Sequence, residues 1–272
     1  MLRDIRAELL KQSRRPTGWL VLAIAVVLSL TFGYVIPYAG LSGTTSGAPG
    51  SGRGLAAMLP DAFIGSALGG LPVFIGALTL IFGVLVAGSE YSYGTWKTVL
   101  VQRPSRISVY GAKLATVALA ALIGILTLFV TNATASAVVA SLQGASVTWP
   151  ALTDVLLGVG AGWLVTTMWG TLGVLLAIGL RSVALPISLG LVWLLAVQNL
   201  LSSIAAPLLN WVAELQKALP GPNAGALAAA FGANAPGVEG IVGSGQATVV
   251  IAAYVLVFGA AGGWLLHRRD IA

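Results

Sequence analysis

The chain of 272 residues has no cysteine and one histidine, and only 8% of it is charged. Without cysteine there is no disulfide, no thiol nucleophile and no cysteine-ligated metal. A single histidine, His267, stands beside Arg268 and Arg269 near the end of the chain. One terminal imidazole gives neither a metal cluster nor a nucleophile–base pair, and it reads as an interfacial anchor. No Gly-Lys-Ser or Gly-Lys-Thr occurs, so the chain lacks a phosphate-binding loop. Soluble domains carry about a quarter charged residues. The scarcity of charge here excludes a soluble core.

What remains is apolar: 57% of the residues, in runs longer than the roughly 18 that mark a membrane helix. The fold expected is an all-α integral membrane domain over 1–272. Residues 1–17 read as an amphipathic interfacial helix, with Leu2, Ile5 and Leu9 toward the membrane and Arg3, Asp4, Arg6, Glu8 and Lys11 elsewhere around the turn. Six spans follow, at about 18–39, 62–87, 109–142, 151–180, 182–202 and 246–266. The first basic-then-apolar run is too long for a signal-peptide core and reads as an uncleaved span. Residues 40–60, rich in Gly and Ser, read as a flexible loop. Arg181 separates spans 4 and 5. One helix from 151 to 201 would be about 75 Å long, more than twice the hydrocarbon thickness. An arginine at mid-membrane costs about 2.5 kcal/mol or more on insertion scales. Residues 203–245 read as an irregular, re-entrant outer region, with a short amphipathic helix carrying Leu208, Trp211, Val212, Leu215 and Leu219 on one face.

The net charge of +6 sits on short loops. With both termini on one side, that side carries twelve of the fourteen basic residues, leaving only Arg53 and Lys217 opposite. The positive-inside rule then puts both termini in the cytoplasm, and the basic excess needs no nucleic acid to explain it. The outer carboxylates Asp61, Asp154, Glu214 and Glu239 lie near span ends or in loops. An ion-coupled carrier needs ionisable groups near the midplane, and a membrane enzyme needs a polar catalytic cluster. Those are the two alternatives, and the sequence favours neither. The pairs Gly65/Gly69, Gly158/Gly162 and Gly259/Gly263 permit close helix packing within the chain. Asn132, Gln198 and Asn199 are amides suited to bonds between helices.

The densest local signal is Gly88–Arg106, "GSEYSYGTWKTVLVQRPSR", between spans 2 and 3. Thr95 is placed to start a short helix, Pro104 to stop it and Ser105 to cap the next. The reading is a rigid cytoplasmic elbow that exposes Trp96 and Lys97 to a docking partner.

Glu90-Tyr91, Gly94-Thr95, Leu100, Pro104-Ser105-Arg106 and Lys113 together resemble a segment of the permease subunits of type-2 ATP-binding-cassette exporters. The N-terminal helix, six spans, outer irregular segments and the basic end "HRRDI" agree with that family over nearly the whole chain. The resemblance implies a coupling helix in 88–106, with Glu90, Tyr91, Gly94, Thr95, Trp96, Lys97, Leu100, Pro104, Ser105 and Arg106 facing or positioning a separate ATPase. It implies two ATPase subunits that bind ATP and Mg, no cofactor on this chain, and a second permease chain, most simply a homodimer. It implies a substrate path between the two permease chains, largely along spans 2 and 5, where Phe74, Thr79, Phe82, Trp193, Gln198 and Asn199 stand. The expected location is a bacterial cytoplasmic membrane, and the expected cargo a hydrophobic or amphipathic small molecule, peptide or lipid.

Overall fold

The computed structural model describes residues 2–41, 43, 51–96, 105–201, 204, 206–235 and 237–268, and among these the regular structure is helical throughout. Its elements are α1 (Leu2–Ser13), α2 (Pro16–Leu41), α3 (Phe63–Leu68), α4 (Phe74–Ser92), α5 (Arg106–Gln143), α6 (Leu152–Leu180), α7 (Ala184–Leu200), α8 (Asn210–Gln216), α9 (Pro220–Ala229) and α10 (Ser244–Arg268). Among the described residues, five helices are long and apolar enough to cross a membrane: α2, α4, α5, α6 and α10. A shorter apolar helix, α7, has its middle, Val192–Val197, wound as a π-helix. A similar π turn at Thr31–Val35 precedes Pro37 in α2.

Helix ends follow their side chains. Ser105 Oγ accepts from the Ser108 N–H at 3.1 Å and caps α5. Arg181 ends α6 in the left-handed conformation at φ 52°, which breaks the helix where the charge demanded it. The apolar run expected as span 2 does not form one helix. Gly69–Val73 turns between α3 and α4, because Pro72 and two glycines interrupt the run. Within the loop expected at 40–60, the described residues from 51 onward are more ordered than their composition suggests. Ala56–Met58 and Pro60–Ala62 form tight helical turns, and Met58 is fully buried against Tyr34 and Val139.

The middle of the bundle is the α4–α6 pair, against which α5, α7 and α10 pack. Lipid tails are as apolar as leucine, so helices associate there by close contact rather than by hydrophobic drive. Glycine supplies that contact. A Cβ on Gly83 would strike the backbone of Gly170, and one on Gly173 would strike the Leu80 carbonyl. The expected Gly pairs also meet neighbours in the same chain. Gly158 and Gly162 lie under Phe129 and Ile125 of α5, and Gly263 lies under Tyr110, whose hydroxyl donates to the Gly259 carbonyl at 2.7 Å. Asn132 joins α5 to α2 by donating to Ser29 Oγ at 2.9 Å.

Residues 210–229 differ from expectation in their packing. In α8 only Val212 of the predicted apolar face is buried, while Leu208, Trp211 and Leu215 are exposed. The adjoining α9 is buried nearly all round, packed on α10, α6 and α3. Its small residues allow this, and Gln198 Oε1 accepts the Gly221 N–H at its start at 2.9 Å.

Gly83→Val and Gly173→Val are each expected to lower stability by at least about 2 kcal/mol, because neither backbone contact can yield without parting the helices. Gly160→Val, which meets nothing within 4 Å, is the matched control. Unfolding in mixed micelles measures both, and equal midpoints for all three would refute the seam.

Candidate functional site

Charged residues gather at the end of the bundle where α1 begins, α4 ends, α5 starts and α10 finishes. Glu90, in the last turn of α4, and Lys113, in the second turn of α5, face each other with Oε1 and Nζ 3.2 Å apart. The Glu90 charge opposes its own helix dipole, since an acid is disfavoured at a C-terminus. The two charges are compensated by one another and by α1. Lys11 Nζ lies 2.5 Å from Glu90 Oε1 and 2.6 Å from Glu8 Oε1, and Lys113 Nζ lies 3.4 Å from Glu8 Oε1. Two acids and two bases thus form one cluster. The Lys113 side chain is only 1% exposed, and its ammonium also donates to the Val86 carbonyl at 2.9 Å.

The orientation of α1 therefore differs in part from the one expected: of its expected apolar face Leu2 is exposed, whereas Ile5 and Leu9 are half-buried. Asp4, Glu8, Lys11 and Gln12 share one helix face, and that face points into the protein. Asp4 accepts from Ser108 Oγ at 2.6 Å, and Gln12 donates to Glu8 at 3.2 Å. Leu2 and Leu10 point outward. A buried charge needs partners more than an apolar side chain needs burial when a membrane lies outside. The spacing i, i+4, i+7, i+8 was the available signal.

The elbow grows from this cluster. The Thr95 hydroxyl donates to Glu90 Oε2, and the Thr95 N–H donates to the Glu90 carbonyl at 3.0 Å. Gly94 makes the turn at φ 63°, a conformation that suits glycine. Trp96, expected as an exposed docking group, is instead 2% exposed. Its ring packs on Tyr91 at 5.4 Å between centroids, and Lys113 Nζ lies 5.3 Å from its centroid. The indole has a cation to cover, so it turns inward. Lys97, Leu100 and Pro104 lie outside the described residues. On the far side, Ser105 caps α5, and Arg106 donates to the carbonyls of Leu266 and His267 at 3.4 and 3.5 Å, fastening α5 to the end of α10. Arg15, just before α2, is tied to α4 by donating to Ser89 Oγ at 2.8 Å. Lys113, Glu8, Lys11 and Asp4 are the members of this site that were not singled out as site residues from sequence.

The residues expected along a substrate path divide into two groups. Thr79 and Phe82 line a cavity of about 260 Å³ between α1, α2, α4 and α5. Phe74, stacked on Phe32 at 6.0 Å, lines a second cavity of about 820 Å³ toward the opposite end. Trp193, Gln198 and Asn199 line neither. Gln198 is occupied in holding α9, and Asn199 Nδ2 donates to the Leu195 carbonyl of its own helix at 2.8 Å.

Among known proteins, the profile of the ABC-2 family transporter proteins matches residues 4–197. That stretch runs from the inward face of α1 through the charge cluster to α7. No curated protein matches the chain. With most of its length matched and its apolar helices in place, the chain belongs to the ABC-2 family of transporter proteins and is a membrane permease.

Proposed function

We propose that this chain is the permease subunit of an ATP-binding-cassette exporter, driven by a separate ATPase through residues 88–106. The observation that carries the reading is the rooting of that segment. Glu90, Thr95 and Trp96 on one side and Ser105, Arg106 and Lys113 on the other are tied to α1, α4, α5 and α10 at one end of the bundle. A segment so rooted passes a push from a partner to two spanning helices at once. The chain itself holds no nucleotide; the partner supplies ATP and Mg.

The six-span reading is supported by parity. Five long helices alone would leave the two termini on opposite sides of a membrane. The start of α5 contacts both α1 and the end of α10, so the termini share one end. Crossing by α7 reconciles the two. The basic excess puts that end in the cytoplasm. Two such chains and two ATPase subunits make the transporter, in a bacterial cytoplasmic membrane, with a hydrophobic or amphipathic cargo.

A pull-down from the native membrane tests the partner. An ATPase is expected to accompany the wild-type chain and to be lost when residues 94–103 are charge-reversed; its absence from both samples would overturn the reading.

Lys113→Met is expected to cost about 1.5–3 kcal/mol of stability, the worth of a hydrogen bond to a charged group, since Glu90 loses one of its two ammonium partners and keeps Lys11 and Thr95. Glu90→Gln with Lys113→Met is expected to cost less than the sum of the two single changes, by about 1 kcal/mol or more. Additive losses in a double-mutant cycle would remove the pair from the argument. In reconstituted transporter, Glu90→Gln is expected to lower transport per ATP hydrolysed; an unchanged ratio would show that the cluster is structural only.

A further inference from the structure

The outward side of α1 carries a row of charge that the rest of the chain leaves unanswered. Arg3, Arg6 and Arg14 recur at helical spacing with Leu10 among them, and all four are exposed. Among the described residues, none of the three guanidinium groups has a hydrogen bond or an ion pair. The acids described at this end, Asp4, Glu8 and Glu90, all point inward, to Ser108 and the two lysines. An unpaired basic row at a membrane interface attracts anionic lipid headgroups.

Beneath the same helix lies the cavity of about 260 Å³. Leu9, Gln12 and Ser13 of α1 roof it, α2 and α5 wall it, and Thr79 and Phe82 stand behind. It opens sideways, since its rim residues Trp19 on α2 and Ile123 on α5 are both more than half exposed. The Trp19 indole fixes the mouth: its N–H donates to the Ser13 carbonyl at 2.9 Å and holds the start of α2 against the end of α1. Along α5 the groove runs from Thr116 to Leu128, about 18 Å, a little more than half the roughly 30 Å hydrocarbon thickness. It therefore has the depth of one leaflet. The Thr79 and Thr166 hydroxyls donate to carbonyls of their own helices at 2.7 and 2.8 Å, so the walls below α1 present largely hydrocarbon.

Width and charge select the occupant. A helix is about 10 Å across, and 18 Å of it would need several times the volume available, whereas a single acyl chain is thin enough to enter. A second copy of this chain in the same orientation would also bring its own unanswered arginines to the same end, where like charges repel.

We propose that this groove binds a phospholipid of negative charge, with one acyl chain between α2 and α5 under Leu9 and the phosphate held between Arg6 and Arg14. The two arginines stand about 12 Å apart along α1, on either side of Leu10, and their side chains close on one headgroup at the mouth. The lipid is a partner of the fold and not cargo. It lies on the lipid-facing side of one chain, against the helix whose other face carries Glu8 and Lys11. Occupancy holds α1 on the charge cluster, and an anionic membrane stabilises that contact by mass action. The identity of the leaflet rests on the topology proposed above; the binding does not.

The test uses the full chain in phosphatidylcholine vesicles without ATP or ATPase. The probes are phosphatidylglycerol and phosphatidylcholine, each with a photoreactive diazirine in one acyl chain, and adducts are mapped by mass spectrometry. Phosphatidylglycerol is expected to label the groove at Leu22, Phe82 and Ala120 about tenfold more than phosphatidylcholine does, the effect of a charge-assisted hydrogen bond. Both are expected to label the exposed Val249 and Leu256 of α10 equally. Arg6→Gln with Arg14→Gln should remove the tenfold difference. Arg268→Gln, which takes the same charge from the end of α10, should change it less than about twofold, because salt screens charges more than about 10 Å away. Gly124→Phe should abolish groove adducts from both probes; Gly124 lines the groove, and a Cβ there meets nothing within 4 Å. Equal groove labelling by both probes, or groove adducts that survive Gly124→Phe, would overturn the site. So would a disulfide between two copies through Ile123→Cys in this cysteine-free chain, which would put a second chain on this face. Because no ATPase is present, those outcomes would leave the coupling reading standing, and loss of the ATPase partner would leave the lipid site standing.

Discussion

A charge in hydrocarbon must be paired, and much of this molecule's architecture at its basic end follows from that constraint. Glu90 and Lys113 belong to helices otherwise apolar enough to span a membrane. Neither is stable alone there, and Glu90 also stands against its own helix dipole. Their mutual attraction fixes the separation of α4 and α5 at one end. It also recruits α1, because one carboxylate and one ammonium leave lone pairs and protons to satisfy. Glu8 and Lys11 supply the remainder, with Lys11 bridging both acids. The N-terminal helix is therefore a structural member of the bundle, clamped by its polar face, with Leu2 and Leu10 left exposed.

The same constraint decides what was legible in sequence. The bounds of α5, α6 and α10 were readable within a few residues, because long apolar runs end at residues with a physical reason to end them. Ser105 caps, and Arg181 cannot sit at mid-membrane. Span 2 was misread because hydropathy sums over Gly69–Val73 without seeing that Pro72 and two glycines prevent one helix. The orientation of α1 was partly misread, because amphipathicity gives two faces and not which of them meets protein. Partners on α4 and α5, roughly eighty and a hundred positions away, decide that. Trp96 looked exposed for the same reason. Its burial depends on Lys113, which no local pattern around residue 96 announces.

Glycine does at the centre of the bundle what charge does at its end. The α4–α6 contact is backbone to backbone at Gly83 and Gly173, so these two helices are held by shape. On the other side α4 meets α2 and α5 across a cavity, where fewer atoms resist displacement. α4 is thus packed tightly on one side and loosely on the other.

In the proposed coupling, that asymmetry decides which motion a push on residues 88–106 would drive. The push enters α4 and α5 together, because Thr95 and Trp96 bind Glu90 and Lys113 rather than the solvent. α1 travels with them, through four charged groups, and α10 is engaged through Arg106. α6 holds the middle of α4 in place. The free side of α4 is the side that carries Thr79 and Phe82, and its bent start carries Ile75 and Phe74. Rocking α4 about its glycine seam would therefore change the distance between Ile75 and α2 most directly. Ile75 and Glu90 lie at opposite ends of this one helix, and a switch needs no longer chain of contacts than that helix provides.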